Sequence, residues 1–116
     1  MNVVRLKMYR EAIWVFYYIV KMKIYYVYIL ECSDKTFYTG ITSDLTNRLQ
    51  SHKSGKYKDS YTYSRRPLGL VYYCEFTNPN VAIATEKRFK KWSKAKKKAL
   101  INGEFEKLPN LAKKKF

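Results

Sequence analysis

The sequence predicts an α+β fold in which a small three-stranded antiparallel sheet is flanked by helices. Two segments rich in β-branched and aromatic residues, 24–31 and 36–41, are separated by a short polar turn, which is typical of a hairpin. A third such segment covers residues 68–76. The segments between and after these strands carry apolar residues at helical spacing, and 116 residues are enough for one such domain but not for two.

The predicted hairpin has three distinctive parts. Its first strand, residues 24–31, carries β-branched or aromatic side chains at nearly every position, which is typical of a strand covered on both faces. Residues 33–35 form the turn. Gly40 lies inside the second strand, and a glycine at such a position indicates a close approach by a ligand or by backbone.

A helix is predicted to follow the hairpin. Residues 42–44 supply candidates for its N-cap, and Gly55 is the expected stop after an end near His52. Residues 56–66 are polar, basic and rich in tyrosine, which predicts a loop with a short helical turn. Pro67 ends this loop, because the residue before a proline avoids the helical conformation.

A second helix is predicted after the third strand. Asn78 and Pro79 form a cap followed by a first-turn proline, which is a typical helix start. The helix is predicted to continue without a break to about Ile101 and to stop at Gly103.

The predicted domain covers residues 22–102, between an N-terminal extension of residues 1–21 and a charged C-terminal tail of residues 103–116. Met22 restarts the chain just before the first strand, so we expect it to be the natural start. The alternative is that the extension adds a helix that packs on the domain. Its apolar run, residues 12–20, is too short for a helix that crosses a bilayer of about 30 Å.

The charge of the chain favours a polyanionic partner. Lysine and arginine number 24 against 9 aspartate and glutamate, which gives a formal net charge of +15. Such a field attracts nucleic acid or an anionic membrane surface. The 12 tyrosines among the basic residues favour nucleic acid, because their rings can stack on bases.

The chain has two cysteines and one histidine, which support neither a disulfide scaffold nor a zinc site. Cys32 and Cys74 are expected to be reduced residues of strands that behave as small hydrophobic side chains. Reduced cysteines predict a cytoplasmic protein.

Two polar side chains interrupt the predicted inward face of the first helix. At the spacing i, i+3, i+4, i+7, this face reads Leu45, Arg48, Leu49 and His52. Burying a guanidinium and an imidazole without partners is unfavourable by several kcal/mol. A helix selected only for packing would carry Leu or Ala at these positions, so we predict a functional face.

Glu86 lies on a comparable face of the second predicted helix. Its stripe consists of Ala82, Glu86, Phe89 and Ser93, with Ile83 and Trp92 beside it. A carboxylate in that position is neutralised, paired with an arginine, or bound to a metal ion. The structural alternative is a pair with Arg48 or a place on a frayed helix edge.

Tyr28 and Tyr38 lie on the two strands of the hairpin, where cross-strand pairs meet. Facing tyrosines more often serve packing than chemistry. Gly40, two residues after Tyr38, favours the functional interpretation because it indicates a close approach at the same place.

The order of these residues resembles the GIY-YIG nuclease family. Residues 26–28 (Tyr-Val-Tyr) stand in the place of its first tripeptide, with tyrosine for the leading glycine. Residues 38–40 (Tyr-Thr-Gly) stand in the place of the second, with threonine for isoleucine. The rest of the series follows in the same order, with Arg48, His52, Gly55, Arg65, Arg66, Pro67 and Glu86. The resemblance covers residues 22–101 and is closest to the small single-domain members, which resemble the nuclease domains of excision-repair and junction-resolving enzymes.

The resemblance implies a metal-dependent endonuclease that hydrolyses phosphodiester bonds, with Mg²⁺ or Mn²⁺ as cofactor and Glu86 as its ligand. Arg48 would hold the scissile phosphate, and Tyr38 would take the proton from the attacking water. Tyr28 would assist by hydrogen bonding to water or phosphate. His52 would orient Tyr38 or share its proton.

The expected partner is DNA, with no membrane and no small-molecule cofactor. Branched, nicked or single-stranded structures are the expected targets, in DNA repair or processing, because the chain has no helix-turn-helix or zinc finger that reads sequence. The predicted DNA contacts lie on the loop after the first helix and are Lys56, Tyr57, Lys58, Tyr61, Tyr63, Arg65 and Arg66. The alternative for this loop is an ordinary solvated charge run.

Two other functions stay open from the sequence. A catalytically silent nucleic-acid-binding module would have the same fold, although the complete set of Tyr28, Tyr38, Arg48 and Glu86 argues against it. A basic membrane-surface protein would use residues 12–20 as an anchor.

Overall fold

The computed structural model describes residues 22–111 and has the predicted α+β architecture. The strands and α-helices of this part of the chain are β1 (Tyr25–Glu31), β2 (Phe37–Thr42), α1 (Leu45–Ser54), β3 (Gly69–Phe76), α2 (Pro79–Lys90) and α3 (Lys94–Ile101). Short 3-10 helices cover Tyr63–Arg65 and Phe105–Asn110. The predictions for the N-terminal extension and for the last residues of the tail lie outside the described residues.

The three strands form one antiparallel sheet in the order β2-β1-β3. Val27 and Ile29 of the central strand point to one face, where they pack with residues of α2, α3 and the connection between them, namely Ala82, Phe89, Trp92 and Leu100. Tyr28 points to the other face, where Leu45 and Leu49 of α1 pack beside it. The burial of β1 on both faces confirms what its continuous apolar sequence predicted.

The caps of α1 agree with the sequence. The Asp44 side chain accepts a hydrogen bond from the backbone N–H of Asn47 (3.1 Å), and Gly55 ends the helix with a left-handed φ of 70°. The predicted inward face is only partly correct, because His52 is buried whereas Arg48 is exposed. A long side chain at the edge of a packed face can bury its stem and keep its charged group in water.

The single helix predicted after the third strand is wrong, because the structure has two helices there. The backbone of Ser93 is extended (φ −64°, ψ 162°), and its side chain accepts a hydrogen bond from the N–H of Lys96 (3.1 Å). Ser93 therefore caps a new helix, α3. The break lets Trp92 reach the core, where it is 9% exposed. Helical periodicity alone cannot reveal a cap in the middle of a lysine-rich segment.

The packed face of α2 also differs from the predicted stripe. Ile83 was expected beside this stripe but is exposed, and Thr85 is buried instead. The Thr85 hydroxyl donates to the carbonyl oxygen of Val81 (2.8 Å), so its burial leaves no polar atom without a partner. Glu86 follows Thr85 and lies at the margin of the packed face, half-buried.

Gly40 lies directly opposite Tyr28 in the β1–β2 pair. A β-carbon at Gly40 would lie 2.4 Å from both Cζ and Oη of Tyr28. The close neighbour is therefore the ring of Tyr28, and not the ligand or backbone that the sequence indicated. The glycine makes the space in which this buried ring lies.

Gly40→Ala is therefore expected to lower the free energy of unfolding by about 1–3 kcal/mol, because the added methyl group forces the Tyr28 ring to shift. Gly69→Ala is the matched control, since no atom lies within 4 Å of a β-carbon at Gly69. Chemical denaturation of both variants measures the difference. Equal losses of stability in the two variants would contradict the close packing of Tyr28 on Gly40.

Candidate active site

Two strands and one helix bring four of the predicted site residues together on one face of the sheet. Tyr38 lies opposite Leu30, two pairs along from the Tyr28–Gly40 pair, so the two tyrosines are diagonal neighbours on one face. Their ring centroids are 6.3 Å apart. The His52 ring lies 5.8 Å from that of Tyr28 and 5.3 Å from that of Tyr38, edge-on to both.

A row of hydrogen bonds runs from the central strand towards the loop after α1. The Tyr28 hydroxyl lies 2.8 Å from Nε2 of His52, and Nδ1 of His52 lies 3.0 Å from Oγ1 of Thr62. Oγ1 of Thr62 is in turn 3.1 Å from Oγ of Ser60. Tyr28, His52 and Thr62 are all buried, whereas Ser60 is half-buried.

The surroundings of Tyr28 and His52 decide where their protons lie. Burial raises the pKa of the Tyr28 phenol well above its ordinary value of 10.0, and Tyr38 raises it further. The hydrogen bonding and the positive charge of Arg48 oppose this shift. Burial and the charge of Arg48 lower the pKa of His52.

The directions of these pKa shifts leave both groups neutral, and a neutral imidazole has one donor and one acceptor nitrogen. We assign the tautomer in which the Tyr28 hydroxyl donates to Nε2 of His52, because the Tyr28 oxygen already accepts a hydrogen bond from Arg48. Nδ1 of His52 then carries the ring hydrogen and donates to Oγ1 of Thr62. The Thr62 hydroxyl is free to donate to Ser60. His52 is thus bonded to Tyr28 and lies edge-on to the ring of Tyr38. The roles expected for it from the family resemblance, orienting Tyr38 or sharing its proton, concern the second of these contacts.

Arg48 and Glu86 lie around the buried row. Arg48 is exposed, and its charge acts on both Tyr28 and His52. The Glu86 side chain is 14% exposed, and its negative charge contributes to the raised pKa of Tyr28. Oε1 of Glu86 lies 3.0 Å from Nζ of Lys90, one turn along α2, so its partner is a lysine and not the arginine considered from the sequence.

Tyr61 covers the outer side of Tyr38. The two rings are stacked, with centroids 6.2 Å apart and an interplanar angle of 20°. The guanidinium of Arg65 lies 3.8 Å from the centroid of the Tyr61 ring, and its Nε donates to Oδ2 of Asp34 at 3.1 Å. Tyr61 and Arg65 therefore belong to one column of stacked groups that ends at the turn between β1 and β2.

The other predicted DNA contacts fall into two groups. Arg66 lies over the ring of Tyr63 at 4.5 Å and donates through Nε to the carbonyl oxygen of Tyr63, so it holds the loop. The exposed group consists of Lys56, Tyr57 and Lys58. Among the predicted contacts, this second group offers the most open surface.

Thr62 and Ser60 were missed by the sequence analysis. They lie in a polar loop without periodicity, so nothing in the sequence distinguished a buried threonine from a solvated one. The one available signal was Thr62 between two tyrosines in a segment that otherwise carries charged residues. Asp34 was placed in the turn but not recognised as the partner of Arg65.

Two features are absent from residues 22–111, the part of the chain that the structure describes. No group of three or more histidine, cysteine, aspartate or glutamate side chains in this part of the chain is arranged to hold a metal ion. None of its helices has the length and apolar character needed to cross a membrane.

The hydrogen-bond assignment can be tested by nitrogen NMR, because the chain has one histidine. We expect a neutral ring protonated at Nδ1, which stays neutral as the pH falls through 6.5, since the pKa of His52 is lowered. Thr62→Val removes the acceptor of Nδ1–H and should shift the ring towards the other tautomer. Thr62→Ser, which keeps the hydroxyl, should preserve the native signals. Identical spectra for Thr62→Val and the native protein would contradict the assignment.

The sequence of this chain is similar to those of known proteins. A family model described as the GIY-YIG catalytic domain matches residues 24–99. A UPF0213 protein of Syntrophus aciditrophicus is 51% identical over 76 residues, which cover 66% of this chain and 87% of that protein. A UPF0213 protein of Bacillus pumilus is 43% identical over 77 residues, which cover 66% of this chain and 78% of the relative.

A solution NMR structure of a UPF0213 protein from Bacillus halodurans is 40% identical, with a TM-score of 0.46, and the match covers 68% of this chain and 83% of that one. The GIY-YIG catalytic-domain match extends over more than half of the present chain and includes both tyrosines, Arg48, His52 and Glu86. The chain therefore belongs to the GIY-YIG family.

Proposed function

We propose that this protein is a metal-dependent endonuclease that hydrolyses phosphodiester bonds in DNA, in repair or processing. Membership of a nuclease family supports the reaction type. The observation that carries the proposal is the cluster of two phenols, an imidazole and a guanidinium on one face of the sheet, with the Glu86 carboxylate near enough to influence Tyr28. The net charge of +15 supports a polyanionic substrate.

In this proposal the exposed Arg48 holds the scissile phosphate, since a guanidinium binds two phosphate oxygens in a planar fork. Tyr38 is half-buried and is the phenol that solvent can reach, so it takes the proton from the attacking water. Tyr28 is fully buried, with its hydroxyl bonded to His52 and to Arg48, so in this proposal it positions Arg48 and does not contact the substrate.

Glu86 fits a divalent ion of the hard type. Its carboxylate is mostly buried, with 14% of the side chain exposed, and it offers oxygen ligands beside the phosphate site. Mg²⁺ and Mn²⁺ accept a single carboxylate when waters and phosphate oxygens complete the coordination. The ion, when bound, would supply positive charge to the phosphate in the transition state.

A catalytically silent DNA-binding module is the second candidate, and one contact favours it. Lys90 forms an ion pair with the Glu86 carboxylate, which the cofactor would need as a ligand. However, Lys90 is 55% exposed, and an i, i+4 pair with an exposed lysine contributes only about 0.3–0.5 kcal/mol. A divalent ion can displace so weak a partner, so we favour the enzyme.

Glu86→Gln is expected to abolish Mg²⁺-dependent cleavage and to leave DNA binding almost unchanged, because it removes the metal ligand and none of the cationic side chains. Glu75→Gln, which changes an exposed carboxylate on β3, is the matched control and should cleave normally. The assay measures cleavage of duplex, flap, junction and single-stranded DNA, with and without a chelator. Full turnover by Glu86→Gln would exclude Glu86 as the ligand, and a native protein that binds but never cleaves would favour the silent module.

Tyr38→Phe is expected to lower the single-turnover rate by about 10²-fold or more at saturating metal, because it removes the general base with little change in volume. The native rate should rise with pH until the base is deprotonated, and the residual rate of Tyr38→Phe should lose this dependence. Tyr73→Phe, at an exposed position of β3 to which no role is assigned, should behave as the native enzyme.

Arg48→Ala distinguishes the phosphate clamp from the base in the same pH series. Its rate should be low at every pH, because a guanidinium is charged throughout and acts through its geometry. If Tyr38→Phe retained the native rate and pH profile, Tyr38 would be a packing residue.

A further inference from the structure

A cleft of about 180 Å³ lies beside β2, which is an edge strand of the sheet. It is bounded by the start of β2, the loop after α1, the α2–α3 connection and the first turn of α3. The residues that line it are Thr36, Phe37, Tyr61, Trp92, Lys94 and Lys97. The family resemblance assigned no role to this cleft, and Tyr61 is the one lining residue that was predicted to contact DNA.

The lining combines apolar rings with positive charge. Three of the six residues are aromatic and two are lysines, and none is acidic. Asp34, which accepts a hydrogen bond from the Thr36 hydroxyl, is paired with Arg65 at 3.1 Å, so its negative charge is compensated. Aromatic rings beside lysines are the combination that binds single-stranded nucleic acid through base stacking and phosphate contacts.

The cleft and the candidate active site lie on opposite sides of the same strand. Phe37 and Tyr38 are consecutive in β2, so their side chains point to opposite faces of the sheet. Tyr61 connects the two places, because its ring stacks on Tyr38 and also lines the cleft. A DNA strand that crosses the edge of β2 would therefore present neighbouring nucleotides to the two sites.

We propose that this cleft binds one unpaired nucleotide of the DNA strand, with its base among the aromatic side chains and its phosphate beside the exposed Lys94. The proposal rests on the nuclease function proposed above and names its substrate class, namely DNA with an unpaired nucleotide next to the cleaved bond. A base inside a duplex has both faces covered by its neighbours, so it cannot enter such a cleft unless it leaves the stack.

The test is a binding measurement on the full chain without divalent metal, so that cleavage plays no part. The probes are a fluorescently labelled blunt duplex and the same duplex with a short single-stranded extension at either end. Fluorescence anisotropy should show that one of the extended duplexes binds about tenfold more tightly, the gain expected from one stacked base. An extension whose nucleotides lack bases should lose that gain.

Lys94→Gln should reduce binding of the extended duplex more than binding of the blunt duplex. Lys98→Gln is the matched control, since it removes the same charge from an exposed position of α3 that does not line the cleft. Phe37→Leu should remove the preference for the extension while it keeps an apolar side chain in the core. If Phe37→Leu fails to fold, the comparison of Lys94→Gln with Lys98→Gln still tests the proposal.

Equal affinity for blunt and extended duplexes would overturn the proposal. Equal losses of affinity for the extended duplex in Lys94→Gln and Lys98→Gln would also overturn it, because they would indicate a general effect of charge. Either result would leave the nuclease proposal intact, because the duplex is still bound. Failure to bind any of the DNA probes would instead count against both.

Discussion

The hydrogen bond between Tyr28 and His52 joins the central strand to the first helix at a point where both side chains are buried. Gly40 provides the space for the Tyr28 ring, and Thr62 satisfies the second nitrogen of His52. A polar row inside an apolar layer is stable only when each donor and acceptor has a partner. The arrangement therefore fixes the relative positions of β1, β2, α1 and the loop after α1, and with them the surface that faces a substrate.

Burial is the main cause of the shifted pKa values of Tyr28 and His52 in this site. For the Tyr28 phenol, the loss of surrounding water raises the pKa, and the neighbouring Arg48 opposes this rise. The same guanidinium disfavours the protonated form of His52. Arg48 acts on these buried groups and is itself exposed, so it lies at the boundary between the packed layer and solvent, as its proposed phosphate contact requires. Arg65 and Arg66, in contrast, are held by carbonyl oxygens and tyrosine rings, so they shape the loop.

The sequence predicted those features that depend on local patterns. The apolar run of β1, the turn after it and Gly55 were sufficient to predict the hairpin strands and the end of the first helix. The ordered series of motif residues identified the family. The break at Ser93 escaped prediction because its lysine-rich surroundings continue a helical pattern. The role of Thr62 escaped prediction because its bond to His52 is a tertiary contact. The pairing of Glu86 with Lys90 is a local i, i+4 contact in α2, and it was missed because only an arginine partner was considered. The exposure of Arg48 depends on how far a long side chain extends past its helix, which periodicity does not describe.

The location of Thr62 in a loop has a consequence for how the site responds to heat. Tyr28 belongs to a strand that is hydrogen-bonded on both sides, whereas the loop after α1 can open by itself, and such openings require less free energy than global unfolding. An opened loop would release Nδ1 of His52 while both tyrosines stay in the sheet. Loss of the hydrogen-bonded row on warming can therefore precede the loss of secondary structure, so the two need not share a transition temperature.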